Sequence, residues 1–346
     1  MKKVIKQVLG IDVAQKELVV CLGRMLEGLL IELHARKTFA NTPKGFEALE
    51  QWVNKLAEDS LPVSYVMEAT GVYHEPVAYF LKDRGQEVSI VTPNKISNYM
   101  RTLDIKTVTD KTCADAIARF GLERNLDSWK KPSAAYKKIR QLTRERDQLV
   151  QERTLVKNQL HAEQAEAEPN KNALKRIKQR IAFLDKQEKE ILAEITMLVK
   201  KDEEIKALVT LVCSIPGVGE LTAATVLAET GGFDLVRNKK QLSSYAGLDV
   251  KEKESGTSVK TKPRISKKGN RFLRKVLHMP ALAAIRHNEQ FKAFFDRLVA
   301  KHGIKMKAAV AVQRKLLELM YTLCKTGKKY EADYLKVKDE QQKRAA

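Results

Sequence analysis

Four carboxylates in the first third of the chain have the residue types and positions of a divalent-metal site. Asp12 lies in the apolar run VLGIDVAQ, and Glu68 ends the apolar part of SYVMEATG. Asp110 and Asp115 lie at and just inside the start of a predicted helix in VTDKTCADAIARFG. Mg²⁺ prefers oxygen ligands, and two-metal sites neutralise a phosphate during in-line displacement. The four acids therefore indicate Mg²⁺-dependent phosphate chemistry.

Each acid also has a purely structural interpretation. Asp12 could pair with Lys16, and Glu68 could cap a turn. Asp110 could cap the helix that follows it. Taken together, in this order within an α/β segment of a basic protein, the carboxylates favour the metal site.

The segments that must position these acids predict a layered α/β domain over residues 1–128. Strand-like runs recur in KQVLGIDVAQKELVVCLG, PVSYVMEATG and EVSIVTP. Helical spacing of apolar residues recurs between them, in NTPKGFEALEQWVNKLAE and HEPVAYFLKDRGQ. Strands that alternate with helices are typical of an α/β sheet.

The rest of the chain predicts helices. Residues 129–205 carry apolar residues at heptad or 3/4 spacing on both sides of a turn at Pro169, which predicts an antiparallel coiled coil. This segment could be a spacer or a dimerisation arm. Residues 206–335 predict a helical C-terminal domain, and residues 336–346 form a charged tail.

The run IPGVG within that domain predicts a helix-hairpin-helix element. Its glycines, Gly217 and Gly219, would let backbone N–H groups approach a DNA phosphate. A tight turn between two helices is the alternative interpretation.

The charge of the chain indicates a polyanionic partner. The formal net charge is +21, which favours a nucleic-acid partner over the alternative of a basic protein whose charge merely resists aggregation. In ESGTSVKTKPRISKKGN, no acidic residue follows Glu254 until Glu289. The cationic side chains expected to hold a nucleic-acid backbone are Lys260, Lys262, Arg264, Lys267, Lys268, Arg271 and Arg274.

Other function classes lack support in the sequence. The four cysteines are far apart, so their spacing does not suggest zinc and is typical of a reducing, cytoplasmic setting. No window approaches the 18 apolar residues of a membrane span, so no membrane partner is expected.

Several motifs in the same order resemble the DEDD-type transposases of the insertion sequence 110 family. These motifs are GIDVAQKELVV, EATGVYHEPVAYFL, TDKTCADAIARFG, IPGVGELTAATVLAE and the stretch from SYAGLDVKEKESG to RKVLHMPAL. The resemblance implies an RNase H-like (RuvC-like) N-terminal domain, a coiled coil and a C-terminal transposase domain. It also implies a transposase guided by a structured noncoding RNA that pairs with donor and target DNA.

Further expectations come from the same resemblance. The protein would act as a homo-oligomer, a dimer or tetramer, in the bacterial or archaeal cytosol and associated with the nucleoid. Its cofactor would be Mg²⁺.

The resemblance assigns the first three acids of the DEDD set to Asp12, Glu68 and Asp110. The family has an aspartate three residues after the third acid, and this chain has Cys113 there. Asp115 is the nearest carboxylate, but on a regular helix it points about 140° away from position 110. Asp115 could serve as the fourth ligand, the site could keep three carboxylates, or Cys113 could contribute a soft ligand that suits Mg²⁺ poorly.

The nucleophilic serine of the family matches Ser255, in the Ser-Gly of the basic stretch. Its attack on a phosphate would give a phosphoserine ester that conserves the energy of the phosphodiester bond. Ser258 and Ser266 are nearby alternatives. A metal-dependent nuclease of the Holliday-junction resolvase type, or a catalytically inactive nucleic-acid-binding descendant, would be rival functions.

Overall fold

The chain divides into two compact units, Met1–Lys131 and Pro132–Ala346. The computed structural model describes residues 3–103, 105–252, 254–255, 259–261 and 263–331. The first unit is a mixed α/β domain, and the second is helical apart from four two-residue strands. This division confirms the predicted combination of an α/β N-terminal part with a helical C-terminal part.

The first unit is built on a five-stranded sheet of order β3-β2-β1-β4-β5. The pairs β1–β2 and β2–β3 are antiparallel, whereas β4 and β5 continue the sheet parallel to β1. The strands are β1 Val4–Val13, β2 Glu17–Leu26, β3 Leu30–Ala40, β4 Val63–Glu68 and β5 Glu87–Val91.

Four helices of this unit pack around the sheet: α1 Pro43–Leu56, α2 Glu75–Asp83, α3 Pro93–Met100 and α4 Asp110–Glu123. A 3₁₀ turn at Arg101–Leu103 follows α3. The apolar residues of α1 and α2 form one cluster with strand residues such as Leu9 and Tyr65. Those of α3 and α4 join separate clusters with Val8 and Cys21. Alternate residues of β1 thus enter different clusters, as the two-residue period of a strand requires.

Helix α4 lies unusually close to β1. A Cβ atom at Gly10 would be 2.4 Å from the Ala118 backbone nitrogen and 2.5 Å from the Ala114 carbonyl oxygen. Only glycine allows this approach. Because α4 begins at Asp110 and β1 carries Asp12, the close packing of the two elements brings their acids to one neighbourhood.

The second unit begins with two 31-residue helices, α5 Ala134–Gln164 and α6 Lys171–Lys201. They pack on each other through a seam of apolar residues that includes Val156, Ile177 and Leu184. The helical hairpin is therefore present, and supercoiling of its helices stays a prediction.

The base of this hairpin is part of the main C-terminal core. Ile139 and Leu142 of α5 and Ile195 of α6 share one apolar cluster with the helices that follow. The sequence placed a separate linker at residues 129–205. The apolar seam continues past the hairpin into the next helices, and the linker role of residues 129–205 stays a prediction.

The remaining helices of the second unit are α7 Glu203–Val212, α8 Glu220–Thr230, α9 Lys239–Tyr245, α10 Arg271–Val276, α11 His278–His287, α12 Glu289–His302 and α13 Lys305–Thr326. Short strands interrupt them as two antiparallel pairs. One pair is β6 Val250–Lys251 with β9 Arg264–Ile265, and the other is β7 Glu254–Ser255 with β8 Val259–Lys260. Within the described residues, no helix is both long and apolar enough to cross a membrane.

Candidate active site

Two adjacent parallel strands deliver the first two acids to one edge of the sheet. Asp12 is the penultimate residue of β1, and Glu68 is the last residue of β4. The carboxyl ends of parallel neighbours meet at the same edge. Asp110 is the first residue of α4, whose N-cap is Thr109. Since Thr109 already caps the helix, the capping interpretation of Asp110 does not apply.

The pKa of Asp12 responds to its burial and to the charges of the two other carboxylates. Burial, followed by the negative charges of Asp110 and Glu68, raises the pKa of Asp12 from 3.8 to about 6, against a backbone hydrogen bond that lowers it. Burial also raises the pKa of Glu68. Like charges that must share a small region disfavour ionisation. Asp12 therefore lies at the centre of a strongly negative cluster.

Cys113 lies beside this cluster, one turn into α4. Burial raises the pKa of its thiol to about 11, and the charges of Asp12, Glu68 and Asp110 add to that rise. The thiol is consequently protonated at neutral pH. The structure thus places a neutral sulfur where the resemblance predicts the fourth carboxylate.

Asp115 is engaged elsewhere. Its carboxylate accepts two hydrogen bonds from Arg36 on β3, at 2.6 and 3.0 Å. It also faces Cys21 on β2, and this contact adds to the burial that raises the Cys21 pKa to about 12. Glu68 and Asp110 lie near enough to Asp12 for their charges to raise its pKa, whereas Asp115 is held in an ion pair with Arg36 of β3.

The donor set fits a hard cation in its chemistry. Three carboxylates supply oxygen ligands, and a bound cation would relieve the repulsion that raises the pKa of Asp12. In the described part of the chain, no three His, Cys, Asp or Glu side chains lie close enough together to hold a metal ion.

Ser255 is exposed on β7, where it pairs with Val259 of β8. Ser258 lies outside the described residues. Ser266 is occupied in a structural contact, because its hydroxyl donates to the Asp249 carboxylate at 2.5 Å and accepts from the Lys268 backbone nitrogen at 3.2 Å. Of the two candidate nucleophiles that the structure describes, Ser255 is exposed. The hydroxyl of Ser266 instead links the basic stretch to Asp249.

The cationic residues of the basic stretch fall into different roles. Arg264, Lys267 and Lys268 are exposed, and exposed Arg271 lies 5.0 Å from the centre of the Phe272 ring. Their charges face solvent and suit a polyanion.

Arg274 differs, because its guanidinium donates to the Ala246 carbonyl at 2.7 Å and holds the fold together. The predicted residue Lys262 lies outside the described residues, and only the backbone of Lys260 is described.

The two glycines of IPGVG have unequal surroundings. Gly217 adopts a φ of +88°, and a Cβ there would be 2.9 Å from the Ala283 Cβ and 3.1 Å from the Ala284 nitrogen. This glycine serves the packing of the turn on α11. Gly219 is the N-cap of α8, and a Cβ at this position would meet nothing within 4 Å. Phosphate contact at these glycines stays a prediction, and so does the helix-hairpin-helix element.

The pairing of Arg36 with Asp115 was not predicted, because the sequence pattern did not indicate strand β3. That strand reads LIELHARKTFA, and mostly exposed charged and polar residues fill half of its positions. The alternation of Ile31, Leu33 and Ala35 with polar residues was the available signal.

Comparisons with known proteins agree with this arrangement. A family model described as "Transposase IS116/IS110/IS902 family" matches residues 209–296. A second model, for the DEDD transposases of IS110 and described as "Transposase", matches residues 9–164. The acids and the basic stretch fall within these matches, which define an enzyme that acts on DNA. The chain belongs to the IS110 family of transposases and site-specific recombinases.

Individual relatives extend over different parts of the chain. The pilin gene-inverting protein of Moraxella bovis is 28% identical over 94% of this chain and 98% of its own length. The transposase for insertion sequence element IS1111A of Coxiella burnetii is 33% identical over 32% of this chain and 31% of its own. A solved structure of T. thermophilus RuvC with a Holliday junction substrate is 10% identical, with a TM-score of 0.27 over 36% of this chain and 99% of its own.

Proposed function

We propose that this transposase excises and inserts its own insertion element by cutting and rejoining DNA with Ser255 as nucleophile and a metal-assisted acidic site. The observation that carries the proposal is the cluster of Asp12, Glu68 and Asp110, in which partial burial of Asp12, followed by the charges of Asp110 and Glu68, raises the Asp12 pKa to about 6. Perturbed carboxylates at strand ends are typical of a functional site rather than of a solvated surface.

The acidic cluster would hold Mg²⁺ through those three carboxylates. When bound, the cation polarises a phosphoryl oxygen and neutralises developing charge. The contribution of the chain is to present ionised carboxylates in a fixed arrangement, which requires Asp12 to lose its proton. The sheet order, three antiparallel strands continued by two parallel ones, supports the RNase H-like assignment of this domain.

Ser255 would perform the covalent step. Its Oγ forms a bond to the scissile phosphorus while the bond from phosphorus to the bridging oxygen of the leaving strand breaks. The serine proton leaves with a base or solvent, and the leaving strand oxygen is protonated. A hydroxyl of the incoming strand then attacks the phosphorus of the phosphoserine, and the bond from phosphorus to the Ser255 Oγ breaks. The hydroxyl proton leaves with a base or solvent, and the serine oxygen is protonated. One phosphodiester bond is thus exchanged for another, and no external energy source is needed. The exposure of Ser255 is consistent with access by a DNA strand.

The exposed cations would hold the nucleic acids. Arg264, Lys267, Lys268 and Arg271 present positive charge after Ser255, and Arg or Lys side chains bind phosphate backbones without sequence preference. Sequence choice would then come from a structured noncoding RNA that pairs with donor and target DNA. The homologous pilin gene-inverting proteins carry the name of a DNA rearrangement, which fits such site-specific recombination. The enzyme would work as a dimer or tetramer.

The test expresses the gene with its native flanks in cells and amplifies across the junction of the excised element. Wild type, Asp12→Ala, Ser255→Ala and Ser266→Ala are compared at equal protein levels, with and without the flanking noncoding segment. The proposal predicts a junction in wild type that is lost in Asp12→Ala, in Ser255→Ala and without the flank. Ser266→Ala tests the nearby serine, and its junction should persist if the fold is kept.

A junction that persists in Ser255→Ala would exclude the assigned nucleophile and favour a metal-dependent nuclease. The neutral Cys113 beside the acids is the observation that favours an inactive descendant. Binding of DNA without any junction, with the RNA supplied, would support that alternative.

A further inference from the structure

The side-chain amide of Asn41 links the two loops that follow the first two acids. Its Nδ2 donates to the Ala14 carbonyl at 2.9 Å and to the Tyr73 carbonyl at 3.1 Å. Ala14 comes two residues after Asp12, and Tyr73 comes five residues after Glu68. One nitrogen thus joins the ends of the segments that carry both carboxylates.

Asn41 is itself fixed to the sheet. Its backbone nitrogen donates to the Lys16 carbonyl at 2.9 Å, which fastens the end of β3 to the turn between β1 and β2. The next residue, Thr42, is the N-cap of α1 and accepts from the Gly45 nitrogen. The backbone that carries the Asn41 amide is therefore held in place by hydrogen bonds to the β1–β2 turn and by the cap of α1.

The loop after Glu68 is held at its far end by the Asn41 amide, which donates to the Tyr73 carbonyl. At its start, the Ala69 nitrogen donates to the Val91 carbonyl at 2.9 Å. Further along, Thr70 and Tyr73 make backbone hydrogen bonds within the loop, at 2.9 and 3.2 Å. Through its bonds to Tyr73 and Ala14, Asn41 connects the end of this loop to the turn that follows the strand bearing Asp12.

We infer that Asn41 is a positioning residue that sets the separation of Asp12 and Glu68 for a bound cation. The two carboxylates repel each other, so the backbone that carries them must resist their moving apart. A neutral amide makes this link without adding charge to the cluster. Its NH₂ group supplies two donors, whereas aspartate has none when ionised and serine has one. The inference rests on the proposed metal site.

The test measures Mn²⁺ binding to the full-length protein by electron paramagnetic resonance, together with hydrogen exchange of residues 69–74. Asn41→Leu removes both donors at similar size, and Asn41→Ser keeps a single donor. Ser64→Ala is the matched control, because its hydroxyl bonds Glu87 at 3.1 Å at the opposite end of β4. Asp12→Asn reports whether the bound Mn²⁺ uses the acidic site.

We expect Asn41→Leu to weaken Mn²⁺ binding about tenfold, as loss of a supporting contact around metal ligands typically does. Exchange of residues 69–74 should quicken, Asn41→Ser should be intermediate, and Ser64→Ala should match wild type. Unchanged Mn²⁺ affinity in folded Asn41→Leu and Asn41→Ser, with binding lost in Asp12→Asn, would overturn the role of Asn41 alone. Absence of Mn²⁺ binding in wild type, or full binding in Asp12→Asn, would overturn the proposed metal site and this inference with it.

Discussion

Arg36 and Asp115 form a two-point ion pair, with Nε to Oδ1 at 2.6 Å and Nη2 to Oδ2 at 3.0 Å. The pair joins β3 to α4 and uses the carboxylate nearest in sequence to the expected fourth ligand. Both oxygens accept from the same guanidinium, which is the strong geometry for such pairs. A structural role for Asp115 follows from this contact.

Replacement of Asp115 tests whether this residue contributes to stability alone or also to catalysis. We expect Asp115→Asn to lower the free energy of unfolding by about 1 kcal/mol, since the pair is partly exposed. Excision should continue, whereas Asp12→Asn should abolish it. Urea unfolding and the junction assay measure the two effects. Loss of excision in a stable Asp115→Asn protein would mean that Asp115 acts as a ligand after all.

Cys113→Asp would place a carboxylate in the slot that the thiol occupies. Without metal, a fourth negative charge should destabilise the fold by about 1 kcal/mol, because it adds to the repulsion around Asp12. At saturating Mg²⁺, Cys113→Asp should become more stable than wild type. A site with more oxygen ligands binds the cation more tightly, and ligand binding stabilises the folded state.

Thermal unfolding with and without Mg²⁺ checks this reversal. Cys113→Asn is the control, because it changes size and polarity without adding charge. An equal response of Cys113→Asp and Cys113→Asn to Mg²⁺ would show that position 113 does not face the cation.

Asp12 gives the fold a pH dependence of known sign. Its folded-state pKa of about 6 lies above the ordinary 3.8, so the folded protein binds this proton more tightly than the unfolded chain. The resulting stability is complete below about pH 4 and is lost as the pH rises through 6. In metal-free buffer, Asp12→Asn should therefore be more stable than wild type at pH 8, by about 1 kcal/mol after allowance for partial exposure.

Chemical unfolding of both proteins between pH 4.5 and 8 measures this difference. The advantage of Asp12→Asn should grow with pH and level off above about 7. A stability difference between the two proteins that stays constant over this pH range would mean that the Asp12 pKa is close to its ordinary value. Burial and nearby charges would then not disfavour its ionisation.

A buried carboxylate in the second unit supports the basic stretch. Glu229 is 1% exposed and accepts from Arg144 of α5 at 2.7 and 2.8 Å, and from the Asn270 amide at 2.6 Å. Asn270 is the N-cap of α10, at the end of the stretch that begins near Ser255. Removing Arg144 leaves a buried charge with less compensation, so Arg144→Met should cost about 2 kcal/mol of stability.

The i,i+4 pair of Arg314 and Glu318, whose carboxylate is less buried than that of Glu229, serves as the comparison. Arg314→Met should cost less than about 0.5 kcal/mol. Urea unfolding of both variants tests the contrast, and equal losses would show that burial of Glu229 does not strengthen its pairing.

Much of the first unit could be predicted because local signals agree with the final structure. Thr42 and Pro43 marked the start of α1, and the left-handed Gly85 marked the end of α2. The strand-end positions of Asp12 and Glu68 were visible in the sequence for the same reason. The role of Asp115 was not, because its partner Arg36 is 79 residues away and lies in a strand without a clear apolar run.

The C-terminal unit was less predictable in its details. Strands β6 to β9 have two residues each, and β6 exists through pairing with the more distant β9, as between Val250 and Ile265. Likewise, the requirement for glycine at position 217 comes from its contact with α11, about 65 residues away. Contacts of this kind leave no periodicity in the sequence.

The central claim is that Ser255 becomes covalently joined to DNA in a reaction that needs the acidic cluster. The most direct measurement incubates the purified protein with its flanking RNA, Mg²⁺ and a labelled DNA spanning the element end. Covalent adducts are separated under denaturing conditions, and the attachment residue is mapped by peptide mass spectrometry. We predict an adduct on Ser255 in wild type and in Ser266→Ala, and none in Ser255→Ala or Asp12→Asn. Cleavage and joining without any adduct, or an adduct on another residue, would contradict the account.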